Sequence, residues 1–199
     1  MKLLLIIGIC LASYALYASM KKAGNPTHPL SSLASLISNS SEKVSTDINL
    51  YLNSPESFLK KYEFELRERD IESVDEMSDS VVVVEILLKN KFLIYVDGDH
   101  EPNDALLQLN ILSKEKLQTA DSYNEIMDSY RSSKYGIATF LQDGEWPSLF
   151  KCANEAGFKL LAVDEDSDSL PLILVPLEKS QEILKAFREA RLKTYFSSK

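Results

Sequence analysis

The sequence predicts an α+β domain, with a small mixed sheet, a C-terminal β-hairpin and helices packed mainly on one face, preceded by an apolar N-terminal segment. Three observations carry that expectation. First, Phe158 to Pro176 (FKLLAVDEDSDSLPLILVP) holds two apolar runs around a short acidic loop, each too short for a good helix, while Pro171 and Pro176 exclude a continuous one. Second, Phe92 to Val96 (FLIYV) is a further strand-like run. Third, stretches with apolar residues at helical spacing surround these runs, in the order helix, helix, strand, helix, helix, strand, strand, helix. Both hairpin runs are nearly continuous in apolar residues, so part of the hairpin needs cover on both faces. Pro171 cannot donate to a ladder, which puts it at an edge or at the first residue of its strand.

A chain of 199 residues has room for one domain with a single sizeable core and an appendage. The expected division is residues 1–22 as membrane anchor or signal segment, 23–42 as a flexible tether and 43–199 as the domain. Formal charge is −8, but Lys2, Lys21 and Lys22 lie in or beside the N-terminal apolar stretch, leaving 19 bases against 30 acids, or −11, for the rest. Such a surface repels phosphate backbones, and no basic stripe with interleaved aromatics occurs, so nucleic acid is excluded as a partner.

Leu3 to Met20 (LLLIIGICLASYALYASM) carries no charge and is about long enough to span a bilayer, with Tyr14, Tyr17, Lys21 and Lys22 near one interface. An uncleaved anchor explains the length best. A cleaved signal peptide is the alternative, with Lys2 as n-region base and Ser13 and Ala15 as small residues for cleavage. Ile9 before Cys10 argues against a lipoprotein. The expected location is a bacterial inner membrane with a single-pass anchor, or the periplasm or medium if the segment is cleaved. Basic residues balance across the segment and leave its orientation open.

Along the rest of the chain, GNPTHPLSSLASLISNSS reads as the tether, within which Leu30, Leu33, Leu36 and Ile37 could form a short amphipathic turn. His28 has no second histidine or cysteine nearby to make a ligand set. Ser54-Pro55-Glu56 is a helix start, and Phe58, Leu59, Tyr62 and Leu66 predict a helix to about Asp70, with Lys60, Lys61, Glu63, Glu65, Arg67, Glu68 and Arg69 as its solvated face. In Val81 to Leu88 (VVVVEILL) four valines favour a strand, whereas Ser78 as cap and the spacing of Val82, Val83, Ile86 and Leu87 favour a helix, which is the reading adopted. Helices follow over Asn103–Leu112 and around Tyr123, Ile126, Met127 and Tyr130. A short strand is expected at Ile137–Leu141. Trp146-Pro147 opens a helix holding Cys152, a buried small hydrophobe in this pattern, and Gly157 ends it. The last helix runs from about Glu178 to Lys193.

Two acidic clusters follow strands: Asp97, Asp99, His100 and Glu101 after the first, and Asp164, Asp166 and Asp168 in the hairpin loop. Carboxylates at strand ends can hold a hard cation such as Mg²⁺ or face a basic partner. The spacing Asp164-x-Asp166-x-Asp168 starts like an EF-hand loop but fails at Ser169, where glycine is needed, and at Val175, where the bidentate glutamate belongs. In the simpler reading, Asp97 and Asp99 serve the loop and cap the next helix, and the hairpin cluster makes side-chain to backbone turn contacts. His100 is the only candidate base beside His28, and no Gly-x-Ser-x-Gly elbow exists.

Phe92 to Asp99, with Asp97-Gly98-Asp99 after an apolar strand, resembles the first motif of the haloacid dehalogenase-like phosphatases. That resemblance implies a divalent-metal-dependent phosphohydrolase with Asp97 as nucleophile and Asp99 as general acid/base, but Glu101 replaces the usual Thr or Val and no phosphate-binding lysine or later acidic motif follows on the parallel-sheet pattern. From Tyr95 onward the chain resembles a family of small bacterial proteins known as a domain of unknown function. The features are the strand ending in Asp97, the acidic Pro-containing turn, the helix ALLQLNIL, a helix ending in Ala156-Gly157-Phe158, and Asp166-Ser167-Asp168-Ser169 before LPLILVP and a final helix. Gly98 stands where a bulky aromatic is expected, and the N-terminal segment is extra. The resemblance implies the fold and a cytosolic domain, and no particular activity.

The functional expectation is a membrane-tethered, non-enzymatic acidic domain that binds a basic protein, in the manner of an immunity or regulatory protein and without a cofactor. Its candidate contact residues are Asp97, Asp99, Glu101, Asp164, Asp166 and Asp168.

Overall fold

The computed structural model describes residues 28–97, 102–132, 136, 148–167 and 169–195. The N-terminal half is helical: α1 (Pro29–Ile37), α2 (Glu42–Asn53), α3 (Pro55–Lys61), α4 (Glu63–Arg67) and α5 (Asp79–Lys89). Strand β1 (Ile94–Asp97) leads to α6 (Pro102–Leu112), α7 (Tyr123–Ser132) and α8 (Leu149–Glu155). Strands β2 (Phe158–Val163) and β3 (Ser169–Pro176) form the hairpin, followed by α9 (Ser180–Glu189) and the two-residue β4 (Thr194–Tyr195).

The strands order as β1-β3-β2-β4, and each neighbouring pair is antiparallel. The small mixed sheet expected from the order of elements is therefore corrected, among the described strands, to an antiparallel one. β1 and β2 run in the same direction, but β3 lies between them.

The helices cover both faces of the sheet, as expected for part of the hairpin, and correct the expectation of packing mainly on one face. Leu161, Val163, Ile173 and Val175 join a core with α1, α2, α3, α5 and α9, including Leu33, Ile48, Phe58, Ile86 and Phe187. The alternate residues Leu160, Ala162 and Leu172, with Ile94 and Val96, join a second core with α6, α7 and α8, including Leu106, Ile126 and Cys152. The nearly continuous apolar runs of the hairpin are thus consumed on both sides. Cys152 is fully buried, as its sequence pattern implies, and burial pushes its thiol up to about 11.

Several boundaries differ from expectation for local reasons. Residues 29–42, expected within a tether, hold α1 and the entry to α2: Leu30, Leu33 and Ala34 are buried, and His28 caps α1 by accepting the Leu30 N–H at Nδ1 (3.3 Å). The helix expected from Pro55 to Asp70 breaks at Tyr62, whose fully buried ring stacks on Phe58 (4.4 Å between centroids) and whose hydroxyl donates to Asp47 (2.6 Å). α5 is helical despite its valines, with Ser78 accepting the Val81 N–H. α9 stops at Glu189 because Arg191 turns left-handed (φ 59°) and Leu192 tucks inward, its N–H donating to the Phe187 carbonyl at 2.9 Å. The strand expected at Ile137–Leu141 lies outside the described residues.

Gly157 closes α8 as expected, with φ at 84°, and open space surrounds the position of a Cβ. Gly157→Ala is therefore expected to cost about 1–2 kcal/mol through backbone strain alone. Urea denaturation measures it, and an unchanged midpoint contradicts the left-handed cap.

Candidate functional site

The register Asp97↔Ser169 brings the end of β1 beside the start of β3, where the β2–β3 loop also lies. Asp97, Asp164 and Asp166 thus share one end of the sheet, although the two acidic clusters are 67 residues apart in sequence. Asp99, Glu101 and Asp168 lie outside the described residues.

The loop is built by its own polar groups. Asp164 accepts the Asp166 N–H at 3.0 Å, Asp166 takes a left-handed conformation (φ 56°), and Ser167 accepts the Ser169 N–H at 3.3 Å. Asp164 is buried. Its backbone N–H donates to the Lys193 carbonyl at 3.0 Å, ahead of β4. The Tyr195 hydroxyl, the Asp166 N–H and the Lys193 ammonium hold the Asp164 carboxyl below its usual range. Asp164 is therefore a structural carboxylate, whereas Asp166 is exposed. Among the described residues no three His, Cys, Asp or Glu side chains gather as a metal site.

Beneath the loop lies an ionic network that the sequence reading missed. Glu165 turns inward, and its Oε2 accepts from Arg69 Nη1 at 2.6 Å. Arg69 Nε donates to Glu85 Oε1 at 2.5 Å, and the guanidinium lies 4.4 Å over the Tyr95 ring. The side chains of Arg69, Glu85 and Glu165 are only 15%, 4% and 1% exposed. Arg69, expected on a solvated face, is instead aimed inward from the end of α4. There Asp70 is left-handed (φ 58°), and the Ile71 N–H reaches back to the Leu66 carbonyl (3.0 Å). Glu85 is fixed in the middle of α5, among six consecutive buried residues from Val82 to Leu87. Burial pushes the Glu85 carboxyl above its ordinary range against the pull of Arg69, and the charges of Glu165 and Glu65 add to that rise. One signal was present in the sequence: a lone charge inside VVVVEILL requires a buried partner.

A second network lies on the helical side. Asp47, also buried, accepts from Tyr62 and pairs with Lys61, and Lys89 pairs with Glu65 at 2.6 Å while lying 4.4 Å from the Tyr62 ring centroid. Asp47, Lys61 and Lys89 line an open groove with Glu42, Lys43, Thr46 and Asn90. The lysines Lys61 and Lys89 are already matched by carboxylates there.

Fold and network together define an α+β domain whose sheet is covered on both faces and whose acidic end is pinned from beneath by an arginine. The chain matches the family described as "Domain of unknown function (DUF6630)" over residues 29–197 and belongs to it. That match extends N-terminal of Tyr95 and takes in α1. No curated protein and no solved structure matches the chain. The phosphatase-like motif at Asp97 does not extend to the fold, since β1 pairs antiparallel with β3 where that resemblance implies a parallel sheet.

Proposed function

We propose that the chain is a membrane-tethered, non-enzymatic binding domain whose acidic sheet end docks a basic protein, in the manner of an immunity or regulatory protein. The observation that carries this reading is the convergence of the Asp97 and Asp164–Asp166 segments on one end of the sheet, in a chain whose residues beyond the N-terminal stretch carry −11. Like charges gathered on one surface steer a cationic partner and raise its association rate. The anchor in this reading is Leu3 to Met20, outside the described residues, among which no helix is long and apolar enough to cross a membrane.

The test is capture with the full chain at low and high salt. The expected result is recovery of a basic protein whose binding falls with salt, and a loss of about two- to fivefold in affinity for each charge removed by Asp97→Asn or Asp166→Asn. Asparagine tolerates the left-handed backbone at Asp166, so the substitution reads charge instead of strain. Recovery of no basic protein at low salt, or binding indifferent to both substitutions, overturns the reading.

A further inference from the structure

We propose that Glu85, Arg69 and Glu165 form a proton-operated latch that holds the β2–β3 loop onto the helical layer. The geometry is a single guanidinium between two buried carboxylates on separate elements: Glu85 in α5 at 2.5 Å and Glu165 in the hairpin loop at 2.6 Å. Two carboxylates and one cation leave an excess negative charge where solvent is nearly excluded, and a bound proton is the smallest ion that cancels it. Glu85 Oε1 already accepts from Arg69, so the proton belongs on the other oxygen of that carboxyl. With it in place, Arg69 serves Glu165 against a neutral neighbour and the loop is held closed.

Among the described residues, the groups around Glu85 leave no second cation in this role. Arg69 and Glu165 bond within the network. Glu65 of α4 adds negative charge but is paired with Lys89 of α5, Tyr62 at the α3–α4 junction donates its hydroxyl to Asp47, and Tyr95 of β1 stacks on Arg69. Burial pushes the phenols of both Tyr62 and Tyr95 up, so they are neutral wherever a carboxyl titrates. As pH rises, Glu85 releases its proton to solvent, Glu85 and Glu165 compete for the guanidinium, and the loop gains freedom to swing Glu165 into water. Once Glu165 leaves, Glu85 keeps Arg69 to itself and has no further need of the proton. Opening is thus linked to proton release, and alkaline conditions favour it. The latch requires no partner.

The test uses the full chain. Carboxyl carbon NMR follows the titration of Glu85, and hydrogen exchange of the 161–170 segment, corrected for intrinsic rates, follows the loop. The expected result is a Glu85 titration above the ordinary glutamate range, with loop opening increasing up to about tenfold for each pH unit of that elevation. Glu85→Gln, which imitates the protonated carboxyl, is expected to abolish the pH dependence of loop exchange. Glu165→Gln, which leaves Arg69 to Glu85 alone, is expected to lower the Glu85 titration and keeps the proposal testable where Glu85→Gln does not fold. An ordinary or depressed Glu85 titration in the native chain, a Glu85→Gln loop with the native pH dependence, or a Glu85 titration unmoved by Glu165→Gln overturns it.

Discussion

Replacing Arg69 with alanine lowers the free energy of unfolding by about 3–5 kcal/mol at neutral pH, the range for removing one partner of a buried ion pair. The cost does not come from losing an attractive contact alone. Glu85 and Glu165, 4% and 1% exposed in the native chain, lose the cation that, among the described residues, touches both, and Tyr95 loses the guanidinium over its ring. The sign of the pH dependence follows. Without Arg69 the folded-state titration of Glu85, which burial already raises above its ordinary range, rises further, so stability from its protonated form is present at acid pH and lost as pH rises through the folded titration. The deficit of Arg69→Ala relative to the native chain is therefore smallest near the acid limit of folding and grows toward neutral pH. Urea denaturation at several pH values measures it. Replacing all three charged residues with apolar side chains of similar volume is expected to recover most of the loss, since a buried triad contributes little net stability against well-packed hydrophobes. A deficit below about 1 kcal/mol, or one independent of pH, means that the network is open to water.

The strands and most helices were legible because their signals are local. Pro176 and the acidic loop delimit the hairpin, and Ser78 outweighs the strand propensity of four valines in α5, whereas Pro171, expected at an edge or at the first residue of its strand, is the third residue of the interior strand β3, opposite Tyr95. Pairing and layering were not legible to the same degree. Nothing between Asp97 and Phe158 announces that β3 will insert between β1 and β2, because that choice is made by long-range packing. The short β4 is two residues long and carries no periodicity to read. The continuous apolar runs of the hairpin do contain the information that both faces are covered, and that pattern is incompatible with a helical layer mainly on one face.

For the site, the sequence located acidic loops but could not sort exposed carboxylates from structural ones. Asp164 and Asp166 are two residues apart, yet one is buried among Tyr195, Lys193 and a backbone N–H while the other faces solvent. Glu165, between them, carries no sequence mark of burial, because a glutamate in an acidic loop has the pattern of a solvated residue. Its partner Arg69 was hidden in a run of charges that the helical pattern assigns outward, and a left-handed turn at Asp70 changes where that residue points. Network partners 96 residues apart leave no trace in spacing.

Leu33→Ala is expected to destabilise the fold by about 2–5 kcal/mol, as truncation of a fully buried leucine does elsewhere. Leu33 has no exposed surface and belongs to the core that covers one face of the sheet. The helix carrying it packs against α2, α5 and α9, elements drawn from both ends of the chain, so a cavity there lies within the body of the domain and not at a fraying terminus. Removing the buried methyl groups loses their transfer free energy, and close packing among Leu30, Ile48 and Phe187 limits how far the site can collapse around the void. For a domain of this size each kcal/mol lowers the melting temperature by about 2–4 °C, so the shift is easily read in a thermal scan. If residues 29–37 were only a connection between a membrane segment and the domain, the same substitution would leave the transition unchanged. The measurement therefore decides where the folded unit begins, and a loss in the expected range makes α1 part of it.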